Sequence, residues 1–167
     1  MKKIFLAVVV ALFSINAMAQ HEIGGIVGGM MGASYKYWFT DAMALQADLA
    51  VGLTEAAGSA GSGGQYDFTL NPDFEYHWAL PVDNLKIFAG GGINFGLCGA
   101  IKAPPMGGNN VMGKFGINAI SGLQYDLSNV PLALAFDFRP GYGCSFANGN
   151  TGHFFDWKIA AAVRYKL

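Results

Sequence analysis

Apolar and polar side chains alternate one by one along most of this chain, and that alternation predicts β-strands. Over residues 66–78 the even positions read Tyr66, Phe68, Leu70, Pro72, Phe74, Tyr76 and Trp78. The odd positions read Asp67, Thr69, Asn71, Asp73, Glu75 and His77. A strand turns successive side chains to opposite faces, so one face here is apolar and the other polar. A helix would mix the two sets. The same period of two runs through residues 33–39, 43–53, 85–96, 115–127, 132–142 and 155–165. A Gly-rich first segment, 22–30, has ambiguous faces, and with it the count is eight strands. Strands of roughly 9–11 residues fit a tilted membrane crossing.

The chain begins differently. Lys2 and Lys3 precede an apolar run of residues 4–13, and Ala17-Met18-Ala19 places small residues at the −3 and −1 positions of a cleavage site. That three-part order predicts a secretory signal peptide over 1–19, cleaved after Ala19. The run is far shorter than the ~20 residues that a spanning helix needs. No later stretch holds 18 uninterrupted apolar residues. Residues 20–167 are then expected to form one domain.

Composition sharpens the picture. Of 167 residues, 53% are hydrophobic and 13% charged, and the net charge is −1. Soluble domains carry roughly a quarter charged residues, so this chain is too apolar for a secreted globule. It also lacks the basic footprint of a nucleic-acid binder. Spreading lipid contacts over alternate residues resolves the tension, and the expected fold is an all-β, eight-stranded antiparallel up-and-down transmembrane β-barrel.

Alternation alone does not say which face is inside, since a lipocalin-type barrel would turn its apolar face inward. The apolar faces of strands two to eight contain no Asp, Glu, Lys or Arg. The polar faces are rich in Gly and Ala, as a narrow eight-stranded lumen requires. Aromatic residues also gather at strand ends on the apolar face. Tyr37, Trp78, Tyr125 and Tyr165 would form one girdle, and Tyr66, Phe95, Phe115, Tyr142 and Phe155 the opposite one. The polar faces then supply a lumen set of Lys36, Asp48, Asp67, Asp73, Glu75, His77, Lys86, Asp137, Arg139, Asp156, Lys158 and Arg164. Both signs are present, so these groups are expected to pair and fill the lumen rather than to line a porin-like channel, which takes 16 or more strands.

Connections set the orientation. Residues 40–42, 80–84 and 127–131 are short and turn-like, whereas 54–65, 97–114 and 143–152 are longer and rich in Gly, Ser and Asn. Short periplasmic turns alternating with longer outer loops are the asymmetry of an outer-membrane barrel. The first outer connection, near residues 30–32, is the exception and is very short.

With its signal peptide, eight alternating strands and a hairpin reading Ser34-Tyr35-Lys36-Tyr37-Trp38-Phe39-Thr40-Asp41-Ala42-Met43-Ala44-Leu45-Gln46, the chain resembles the OmpX/OmpA-like family of small outer-membrane barrels. The resemblance spans essentially the whole mature chain. It implies a location in the outer membrane of a Gram-negative bacterium and contact with outer-membrane lipids. It also implies recognition of the C-terminal strand by the assembly machinery, for which Val163, Tyr165 and Leu167 keep the alternating tail but end on Leu rather than an aromatic residue. Outer loops of this kind are expected to meet an extracellular ligand that the residues do not identify.

No catalytic or cofactor-binding set emerges. Asp73, Glu75 and His77 share a face, but same-face neighbours stand ~7 Å apart along a strand, which strains a tetrahedral metal site. A lipid-modifying barrel would need a base beside an outward Ser, and Ser121 has Ala119 and Leu123 there. A narrow ion or solute conduit is the second reading of the charged lumen. Cys98 and Cys144 fall just past the expected outer ends of strands five and seven, and export permits a disulfide between them. The loops would have to converge, since two strand steps of ~4.8 Å exceed the usual Cα reach of ~6 Å.

Overall fold

The computed structural model describes residues 20–54, 65–100, 111–147 and 150–167, the side chains at 53–54, 65–66, 100, 147 and 150 excepted. Eight strands follow in chain order: β1 (His21–Gly28), β2 (Met30–Trp38), β3 (Met43–Thr54), β4 (Gln65–Ala79), β5 (Leu85–Ala100), β6 (Val111–Asp126), β7 (Leu132–Ala147) and β8 (Asn150–Lys166). Each pairs antiparallel with the next, and β8 returns to β1, closing the barrel. The all-β, up-and-down expectation holds. The signal segment over 1–19 lies outside the described residues, as do 55–64 and 101–110 of the expected outer connections.

The closure is staggered. Following partners from Gly25 gives Ala33, Leu49, Leu70, Phe95, Phe115, Cys144 and finally His153 on β8, yet Gly25 itself pairs with Val163. The ring thus closes ten residues out of step. A stagger of that size on eight strands tilts them by about 40° to the barrel axis.

Three short turns close one end in the same way. The amides of Phe39, Leu80 and Leu127 donate to the carbonyls of Met43, Leu85 and Leu132, each at 2.9 Å. Asn84 takes φ 64° in the second turn, a left-handed conformation that Asn tolerates. Gly28, at φ 140°, turns β1 into β2, where any side chain would be strained.

Several boundaries differ from the sequence expectation, among them that of β5, which runs on to Ala100 and so takes Cys98 into a strand. Met30 belongs to β2, so the first connection turns at Gly29 and is even shorter than expected. β6 begins at Val111, which places Lys114 in a strand rather than a loop. β7 and β8 stay paired up to Ala147 and Asn150, so residues 143–147 and 150–152 continue the two strands where the sequence predicts a long loop, and 148–149 lie outside the described residues. Gly, Ser and Asn favour a loop there by local propensity. Cross-strand pairing of Cys144 with His153 and Phe146 with Thr151 overrides that weak preference.

Candidate functional site: a charged lumen inside an apolar wall

The pleat sends one residue in two to each side of the wall. Outward side chains are apolar and exposed, as with Phe136, Phe138, Leu134 and Val163. Inward side chains are polar and sealed: Lys36, Asp48, Asp73, Glu75, Asp137 and Arg164 are each 0% exposed. Small residues make room for them, with Ala44, Ala50, Ala133, Ala135, Ala160 and Ala162 also buried inside.

The inward groups form three tiers. Nearest the short turns, Lys36 Nζ donates to Glu75 Oε2 at 2.7 Å and to Gln124 Oε1 at 3.1 Å. His77 Nε2 meets the same Glu75 oxygen at 2.8 Å, and its ring stacks on Phe88. Trp38 Nε1 and Gln124 Nε2 both donate to Glu22 Oε1. Lys36 lies over the rings of Phe88 and Trp38, 5.0 and 5.6 Å from their centres.

In the middle tier Arg139 holds three carboxylates: Asp73 at 2.9 Å, Asp137 at 2.6 Å, and Asp48. Asn118 also donates to Asp73, and Gln46 to Asp48. Arg164 donates to Ser34 Oγ and Gln46 Oε1, which ties it to the same tier. Farther up, Asp67 Oδ2 accepts from Lys114 at 2.9 Å and Lys158 at 3.0 Å, and Asp156 faces the same two lysines at 3.0 and 3.5 Å. Phe154 supports Lys114, whose Nζ is 4.2 Å from its ring centre.

The structure places all twelve of the lumen residues read from the sequence on the inner face, though not in one network. Lys86 sits at the turn-end rim, facing Asp126 at 3.6 Å beside Lys166. Sequence reasoning missed Glu22, Lys114 and Gln124 as working members. Lys114 was recoverable from parity, because it adjoins the outward Phe115. Glu22 was not, since β1 buries Ile26 on the same inward face and so breaks the alternation.

Two rings lie over glycines across strand pairs on the inner face. Phe88 faces Gly122 and Phe154 faces Gly143, and in each a Cβ on the glycine would come within 2.6 Å of the ring's Cζ. The glycines therefore provide the space the rings fill, and the rings cover bare backbone.

On the outer face, Tyr125 and Phe115 stand ten residues apart on β6, as do Tyr165 and Phe155 on β8. At about 3.4 Å per residue and a tilt of about 40°, ten residues rise about 26 Å, close to the ~25 Å apolar band of a membrane barrel. Trp78, Phe95 and Tyr142 also point outward, Tyr37 is half-buried among its neighbours, and the side chain of Tyr66 lies outside those described.

The two cysteines are free, and the bridge between them is not formed. Cys98 shares the inward parity of Asn94, whereas Cys144 shares the outward parity of Tyr142 and Phe146. The barrel wall and the whole of β6 separate them. Among the described residues, no group of three or more His, Cys, Asp or Glu is placed to hold a metal ion.

Solved structures give the same fold. The N-terminal β-barrel domain of Pseudomonas aeruginosa OprF matches with a TM-score of 0.52 at 16% identity, covering 89% of this chain and 96% of that one. A major outer membrane protein from Thermus thermophilus matches with a TM-score of 0.57 at 12% identity, covering 89% and 99%. No family model and no curated protein sequence matches the chain. The chain therefore has the fold of the small eight-stranded outer-membrane barrels.

Proposed function

We propose that this chain is an integral outer-membrane barrel with a sealed ionic lumen, and that its work is done at its outer rim and wall rather than through its centre. Such a protein serves surface interaction or envelope integrity and is neither an enzyme nor a solute channel. The observation that carries the reading is the inversion of the two faces. Groups that demand water or a partner are buried and paired inside, while large apolar side chains cover the outside. In water the arrangement would expose an apolar area far beyond the few hundred Å² that soluble proteins tolerate. In a bilayer its closed ring leaves no open strand edge to the hydrocarbon.

The lipids of that bilayer are its first partners. Val163, Tyr165 and Leu167 carry the outward apolar tail by which the assembly machinery would receive the last strand. A signal peptide ending near Ala19 would deliver the chain to it. Three tiers of cross-lumen pairs occupy the lumen with side chains held to one another, so pure protein in a planar lipid bilayer is expected to remain electrically silent. Steady single-channel conductance would overturn this reading in favour of a narrow conduit.

A further inference from the structure

The outer wall carries a thiol–imidazole–phenol cluster that the sealed lumen does not involve. Cys144 and His153 are direct register partners across β7 and β8. Tyr142 precedes Cys144 by two residues and so shares its face. His153 Nδ1 stands 3.4 Å from Cys144 Sγ and 3.2 Å from Tyr142 Oη. The imidazole and phenol rings are nearly parallel, at 13°. Tyr142 pairs with Phe155 of the outer girdle, so Cys144 and His153 lie one same-face step, about 5 Å, beyond it, where water reaches the wall.

We propose that Cys144, His153 and Tyr142 form a surface site for a borderline-to-soft divalent metal cation such as Zn²⁺. One ring nitrogen here faces both a thiol and a phenol, and in either tautomer it has a single proton or a single lone pair to divide between them. A cation relieves that competition by binding all three. Zinc bonds of about 2.0–2.1 Å to nitrogen or oxygen and 2.3 Å to sulfur put neighbouring tetrahedral vertices roughly 3.3–3.6 Å apart. Both separations at Nδ1 are close to that spacing, and the sheet register holds the two strands in place without rearrangement. On binding, the thiol releases its proton to water and the thiolate becomes the strongest donor. Water supplies the fourth position. With two strong protein donors and a phenol the site is open and exchangeable, unlike a closed structural zinc centre. The proposal goes beyond the sealed-barrel reading and does not depend on it.

The test uses the folded, reduced full-length barrel in detergent micelles, in a Cys98→Ser background that leaves one thiol. Folding is checked by the mobility of the unboiled sample on a gel. Co²⁺ is titrated as the spectroscopic probe and Zn²⁺ as its competitor. A thiolate-to-cobalt charge-transfer band is expected, displaced by Zn²⁺ and absent in Cys144→Ser. His153→Gln should weaken Co²⁺ binding by more than about tenfold, and Tyr142→Phe by less. A folded protein that gives no band at millimolar Co²⁺ overturns the proposal. So does a band that survives Cys144→Ser, or one whose midpoint is unmoved in His153→Gln.

Discussion

Arg139→Met asks whether the paired lumen stabilises the barrel or merely fills it. The guanidinium is 4% exposed and its three carboxylate partners are 0% exposed. Methionine replaces the volume of the stem but none of the charge. Asp137 then loses the only side-chain partner it has among the described residues, while Asp48 keeps Gln46 and Asp73 keeps Asn118. Breaking a buried pair by removing one partner costs about 3–5 kcal/mol, because the other charge stays buried and uncompensated. That corresponds to a factor of roughly 10² to 10⁴ in the folding equilibrium. Lys166→Met is the control. It removes the Lys166–Asp126 pair, whose side chains are 26% and 15% exposed, and should cost no more than about 1 kcal/mol. Urea unfolding in lipid vesicles, followed by tryptophan fluorescence and by the mobility of unboiled samples, measures both. Adding Asp137→Asn to Arg139→Met should recover part of the loss, since it removes the stranded charge. If Arg139→Met lies within about 1 kcal/mol of the parent, or costs no more than Lys166→Met, the middle tier is not a stabilising element and the reasoning fails.

Three further outcomes follow from the same geometry. Phe138→Arg places a charge on the outward face between the girdles and should cost about 2–4 kcal/mol in vesicles, against about 0–1 for Tyr165→Arg at the interface. Equal costs at both positions would contradict the placement of the band. Gly122→Val drives a side chain into the Phe88 ring and the Phe136 carbonyl, and should lower stability by at least the roughly 1–3 kcal/mol typical of overpacking. Pairing it with Phe88→Ala should soften the penalty, and an unchanged penalty would locate the clash in the backbone alone. Thiol titration of the denatured, never-reduced protein should find two free thiols per chain, and a value near zero would restore the Cys98–Cys144 bridge.

The period of two is strong enough to make most of this architecture legible in the sequence. Over β4 every alternate residue obeys it, and both the strand and its inward set, Asp67 to His77, could be read directly. Strand ends were harder. Glycine and asparagine signal loops by local propensity, yet in β7 and β8 the register of the neighbouring strand carries the sheet past them. β1 hid its faces because glycine has no side chain to sort and because Ile26 turns inward, in one buried cluster with Met30 of β2, Ala50, Ala160 and Ala162. The identity of the lumen residues was legible, but their partners were not. Arg139 meets Asp48 from 91 positions away, and only the closed ring brings those faces together.

That long reach explains why charge is worth burying here. Neighbouring strands are already joined by backbone hydrogen bonds, which by themselves specify a ladder but not which residue opposes which. Many of the lumen pairs instead cross between strands that do not touch. Lys36 on β2 reaches Glu75 on β4, Arg139 on β7 reaches Asp48 on β3, and Lys114 on β6 reaches both Asp67 on β4 and Asp156 on β8. A slip of one residue between any two strands would turn one side's entire inward set out towards the lipid. A slip of two would keep the faces but move each cation about 7 Å from its carboxylate. Hydrophobic filling could match the volume, but it would resist a two-residue slip only weakly, since one aliphatic side chain replaces another at little cost. Cross-lumen ion pairs penalise both errors, and they do so where the outer face, predominantly apolar, distinguishes them poorly.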